Sequence, residues 1–149
     1  MYKRQEEFEL IHCRVDLHKS NYKQIKNAEL LKDPPVDTLL DIYEDYCRYN
    51  KFKSFMPIFP AEFEQNDVIG YYDKDELVAF SIIQVYDDKN IEAYQFAWNY
   101  KNPKLHLGIK SLRHECAYYK HKGFKYLYLG PAHKYKEKIQ GFERMGPLL

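Results

Sequence analysis

Gly108 stands among Lys101, Lys104 and Lys110, where a loop gives way to an apolar stripe of helical spacing formed by Leu105, Ile109, Leu112, Cys116 and Tyr119. The free N–H groups at the start of such a helix, together with the positive end of its dipole, make a seat for an anion, most simply a phosphate. Lys104, Leu105, His106, Leu107, Gly108, Ile109 and Lys110 form the candidate phosphate loop, and Trp98, at the end of the preceding strand, is a further candidate contact. His106 lies inside this loop, where an imidazole could touch a phosphate or accept a proton. Upstream, Glu92, Tyr94 and Gln95 compete for the role of a base. Alternation puts Glu92 and Tyr94 on one face of a strand with Phe96 and Trp98, and Gln95 on the other with Ala93 and Ala97. His114-x-Cys116 lacks a second closely spaced ligand pair, so no metal site is expected.

The elements that must position these residues can be read outwards from Asn99–Gly130. Tyr94 to Tyr100 is aromatic and strand-like, Asn102-Pro103 breaks it, and Gly123 closes the following helix. Lys125 to Leu129 is a further strand, ended by Gly130-Pro131. Before this unit, Val68–Tyr72, Glu76–Tyr86 and Ile91–Tyr100 alternate as a meander, joined at Asp73-Lys74-Asp75 and Asp87-Asp88-Lys89-Asn90. Phe8–Leu17 reads as a first strand, and Ser20–Lys32 as polar and partly helical until Asp33-Pro34-Pro35 ends it. A helix starts at Val36 or Asp37 and buries Leu39, Leu40, Ile42, Tyr43, Tyr46 and Cys47. Phe55, Met56 and Phe59 lie in an aromatic loop that could wall an acceptor pocket. A last helix is expected around Tyr135–Ile139. Antiparallel strands followed by strand–helix–strand predict a mixed sheet in an α/β (α+β layered) domain.

A chain of 149 residues is expected to form one domain, residues 1–149. Cys13, Cys47 and Cys116 are odd in number and scattered, which predicts reduced thiols in a cytoplasmic protein. No apolar run approaches a membrane span, and Met1–Leu10 is too polar for a signal peptide. Residues 1 to 100 hold 12 Lys and Arg against 19 Asp and Glu, a balance of −7, whereas residues 101 to 149 hold 11 against 3, a balance of +8. That asymmetry predicts an anionic partner for the basic part.

Several of these stretches together resemble the GNAT superfamily of acyltransferases. The likeness is greatest to the C-terminal domain of the aminoacyl-tRNA–protein (arginyl and leucyl) transferases. It rests on Asp75-Glu76-Leu77-Val78-Ala79, on Leu107-Gly108, on Tyr126-Leu127-Tyr128-Leu129-Gly130, and on Tyr135-Lys136 with Gly141-Phe142-Glu143. The helix Leu39–Tyr49 followed by Pro60-Ala61-Glu62-Phe63-Glu64 extends it over about two thirds of the chain. The resemblance implies a mostly antiparallel sheet whose parallel strands, Ile91–Tyr100 and Lys125–Leu129, splay around the acyl group, with flanking helices. It also implies that Tyr135 is the acid for the leaving group. GNAT enzymes usually show a glycine-richer loop than the single Gly108 found here.

The implied reaction needs a neutral amine. Holding a lysine neutral at pH 7 costs about 4.6 kcal/mol, and an α-amine much less, so a base such as Glu92 or a desolvated pocket must assist. Three functions follow. The first is transfer of an acetyl or similar group from an acyl-CoA to an amine-bearing small molecule or a protein N-terminus. The second is aminoacyl transfer from an aminoacyl-tRNA, and the third a binding module on the same fold. The short tail after Ile139 leaves the Lys125–Leu129 edge open, to be covered by Phe142–Met145 or by a second copy in a homodimer.

Overall fold

The computed structural model describes residues 11–52, 56–132 and 134–147. Its strands are β1 (Ile11–Asp16), β2 (Ala28–Leu30), β3 (Asp67–Asp73), β4 (Glu76–Val85), β5 (Asn90–Trp98), β6 (Tyr126–Pro131) and β7 (Phe142–Pro147). Its helices are α1 (Val36–Tyr49), α2 (Pro60–Gln65) and α3 (Leu107–His121), with 3-10 turns at Leu17–Lys19, Pro103–Leu105 and Lys134–Lys138. The strand order is β2-β3-β4-β5-β6-β1-β7. β5 and β6 run parallel, while β2–β3, β3–β4, β1–β6 and β1–β7 are antiparallel. This is the expected α/β class, with a mostly antiparallel sheet, one parallel pair and helices beside it.

The described residues fall into two compact units. One comprises residues 11–24, 85–94, 113–132 and 134–147, the other 25–52, 56–84 and 95–112. In the first, the sheet alternates by rows. Ile91, Leu127 and Val15 stand opposite one another across β5, β6 and β1, and all three are fully buried. Phe142 of β7 continues that row against Val15 and is half-buried. The next row is polar: Glu92, Tyr128, Arg14 and Glu143 pair in the same order and remain partly exposed. The two-residue repeat of a pleated strand produces this switch. The last nine residues of α3 add Cys116 and Tyr119 to the buried side, and Phe124 meets the Tyr119 ring edge-on at 5.5 Å.

Two expectations are corrected in this unit. β6 is not an edge, because β1 pairs with it on the side away from β5, and β7 pairs with β1. The tail therefore covers β1 and not β6, and no second copy is needed there. The segment around Tyr135–Ile139 is a 3-10 turn, not an α-helix. The Phe8 end of the first predicted strand lies outside the described residues.

In the second unit, α1 buries Leu39, Ile42, Tyr43 and Cys47 with Leu40 and Tyr46 packed beside them, as the helical spacing predicts. They form one core with Phe63 of α2, Val68 of β3, Phe80 and Ile82 of β4 and Ala97 of β5. Phe63 and Phe80 meet edge to face at 5.6 Å. Within Ser20–Lys32 the only regular structure beyond the start is a strand, β2, where a partial helix was expected. Pairing with β3 outweighs the weak helical preference of a polar segment. Asn27 contributes twice, accepting the Tyr72 N–H at 2.9 Å and donating its amide to the Tyr72 carbonyl at 2.9 Å.

Candidate active site

The start of α3 is built by a turn that tightens before the helix opens. Leu105 N–H donates to the Asn102 carbonyl and His106 N–H to that of Pro103, each at 3.2 Å. His106 then takes a left-handed conformation at φ +49, and Lys110 N–H donates to its carbonyl at 3.1 Å. The N–H groups of His106 and Lys110 are thus engaged, which leaves those of Leu107, Gly108 and Ile109 as the first-turn donors without an intrahelical acceptor. A Cβ on Gly108 would meet nothing within 4 Å, so packing inside the protein does not require a glycine there. Lys101 is ion-paired with Glu76 at 2.7 Å. Lys104 and Lys110 are exposed. Leu105 sits in the 3-10 turn, half-buried like Ile109, whereas Leu107 is buried.

Trp98 is buried at the end of β5, its ring 4.5 Å from Tyr100, which stacks on Tyr49 at 3.8 Å. Its indole N–H is the one buried side-chain polar atom without an acceptor among the described residues. Tyr49, Met56 and Phe59 are exposed, while Phe55 lies outside the described residues.

Glu92 belongs to the first unit and sits at the last recorded pair of the parallel ladder, Asn90–Tyr126 to Glu92–Tyr128. β5 continues to Trp98 beyond it. Glu92 is half-buried as a residue, and its carboxylate accepts the exposed Tyr86 hydroxyl at 2.7 Å. No cation pairs with it among the described residues. That hydrogen bond, with burial second, pushes the Tyr86 phenol up to about 12, so Tyr86 stays a donor. Tyr135, in the same unit, is 55% exposed on the 3-10 turn. Its neighbour Lys136 is the buried one, donating to the carbonyls of Leu129 at 2.8 Å and Pro131 at 3.0 Å at the end of β6. Desolvation lowers the Lys136 pKa.

The loop candidates and Trp98 therefore belong to one unit, and Glu92 and Tyr135 to the other. Sequence reading did not single out Tyr86, Tyr128 or Arg14, whose places depend on strand register. His114, weighed from sequence only as a metal ligand, and Glu115, which was not singled out, are both buried on α3. Burial pushes His114 down to about 4 and Cys116 up to about 12, and raises Cys13 and Cys47. The thiols stay protonated at neutral pH. Among the described residues no His, Cys, Asp and Glu cluster could hold a metal, and no helix is long and apolar enough to cross a membrane.

A short parallel pair inside a mostly antiparallel sheet, with a helix leading into its second strand, is the GNAT arrangement. The C-terminal domain of a candidate lysylphosphatidylglycerol synthetase from Agrobacterium fabrum superposes with a TM-score of 0.67 at 14% identity, covering 82% of this chain and 46% of that one. L-PGS from Bacillus licheniformis gives 0.63 at 17%, with the same coverage of both chains. A GCN5-related N-acetyltransferase from Kribbella flavida gives 0.58 at 13%, over 89% of this chain and 53% of that one. This chain spans about half the length of each of those structures. No curated protein matches it. The family model of the arginine-tRNA-protein transferase C terminus matches residues 17–145, and the chain belongs to that transferase family.

Proposed function

We propose that this chain transfers an aminoacyl group from the ribose ester of an aminoacyl-tRNA to an amine, on a small molecule or a protein N-terminus. One observation carries the reading: Glu92, which pairs with no cation among the described residues, stands at the last recorded pair of the parallel ladder and accepts the Tyr86 hydroxyl at 2.7 Å. Such a carboxylate can accept a hydrogen bond from the neutral amine and take the proton the nitrogen sheds as it bonds to the carbonyl carbon. Family membership supports the tRNA ester as donor. Within the second unit taken by itself, the first-turn N–H groups of Leu107, Gly108 and Ile109 suit an anion such as a phosphate.

A second reading is transfer from an acyl-CoA, whose diphosphate could use the same first-turn N–H groups. Salt dependence separates the two. Many phosphate contacts release many counterions, so tRNA affinity should fall steeply between 50 and 200 mM salt, on the order of 10³-fold for about six contacts. Acyl-CoA affinity should fall only gently. Filter binding with aminoacyl-tRNA and calorimetry with acetyl-CoA over that range would decide. Absence of tRNA binding at low salt, with acetyl-CoA bound, would sink the first reading.

A further inference from the structure

The polar row across the first unit has an internal logic. Glu92, Tyr128, Arg14 and Glu143 are paired in register on four successive strands, so their side chains share one face. Arg14 is fixed on three sides: Nε donates to Glu143 Oε2 at 2.9 Å, Nη1 donates to Tyr128 Oη at 3.3 Å, and the guanidinium lies 3.7 Å from the Tyr126 ring centre. Lys19 lies 3.9 Å from the other Glu143 oxygen. A guanidinium can only donate. Tyr128 Oη is therefore the acceptor in that bond, and its own proton is left to point elsewhere. Across the register on the other side is Glu92, held by Tyr86, at the final pair of the parallel ladder.

Resting on the transfer reading above, we infer that Tyr128 is the proton donor to the leaving oxygen, with Arg14 as its positioning residue and Glu92 as the base on the amine. The amine nitrogen bonds to the ester carbonyl carbon, and the bond from that carbon to the ribose oxygen breaks. The electron pair stays on the ribose oxygen, which takes the Tyr128 phenol proton. Glu92 takes the proton shed by the attacking nitrogen and returns it to the Tyr128 phenolate, directly or through water. The net change is ester plus amine to amide plus alcohol, with both residues restored. Tyr135 differs in being 55% exposed, on a turn outside the row.

Single-turnover transfer to a peptide α-amine tests this, using the whole chain with arginyl-tRNA and, separately, an arginyl thioester. An alkoxide leaving group needs a proton and a thiolate does not. Tyr128→Phe should slow transfer from the ester about 100-fold and from the thioester less than about threefold. Donor affinity by filter binding and the thermal midpoint should stay near the parent's. Replacing Tyr128 with 3-fluorotyrosine, a stronger acid, should restore ester transfer and move its alkaline limb to lower pH. Arg14→Gln should reduce ester transfer selectively, with Arg14→Lys recovering part of it. Equal losses on both donors, or ester transfer at the parent's rate in Tyr128→Phe, would overturn the assignment to Tyr128 while leaving the transfer reading intact. A parent inactive with both donors would refute the transfer reading and this assignment with it. A parent active with the thioester alone would remove the ribose leaving group and so the role.

Discussion

Gly141 shows at one residue how the chain's end is held. It sits at φ +87, its carbonyl accepts the Asp16 N–H at 2.8 Å, and an added Cβ would lie 2.3 Å from the Asp16 carbonyl oxygen. Gly141→Ala must therefore adopt a conformation alanine avoids and push backbone against backbone, at a cost of about 2 kcal/mol or more. An unchanged urea midpoint would mean that this turn gives way freely. His114 sets a pH dependence. Unfolded, a histidine titrates near 6.5, whereas burial holds His114 at about 4 in the folded chain. Between those values the unfolded state binds the extra proton, so stability falls as pH drops from about 6.5 to about 4, by up to about 1.4 kcal/mol per pH unit. Urea midpoints of the parent and His114→Gln compared across that range should converge as pH falls. Parallel curves would rule His114 out as the source.

At the scale of elements, β7 is the instructive case. Phe142 stands opposite Val15 in the apolar row but is only half-buried, since β7 is the last strand in the order. Phe142→Ala should cost about 2 kcal/mol, below the 3–5 typical of a fully buried phenylalanine. Chemical denaturation with no loss would show that β7 contributes nothing to the row. Most elements were legible beforehand because their signals are local. α1 follows the spacing of Leu39, Ile42, Tyr43 and Cys47, and the β3–β4 turn falls at Lys74-Asp75, where Lys74 takes φ +56. α3 begins two residues after Leu105, the first of its predicted stripe, because Pro103 and the left-handed His106 shape a separate turn. β2 was missed because three residues paired to a distant strand leave no periodic signature.

For the whole molecule, charge changes meaning once the chain is folded. Cut at residue 100, the sequence divides into −7 and +8. Grouped by compact unit, the described residues of the first hold 12 Lys and Arg against 7 Asp and Glu, a balance of +5, and those of the second 8 against 12, a balance of −4. The contrast shrinks because Asp16, Asp87, Asp88 and Glu92 fall in the same unit as the basic C-terminal stretch. The sequence by itself determined what depends on neighbours a few residues apart: the strand–helix–strand unit around Gly108, the two-residue alternation of β5 and β6, and scattered thiols without a disulfide framework. Tertiary structure alone decided that β1 lies between β6 and β7, that Arg14 reaches Tyr128 and Glu143, and that His114 and Glu115 are buried. Register explains the difference: pairing positions more than a hundred residues apart is fixed by which whole faces can be buried together, and a one-residue slip would exchange the apolar and polar rows.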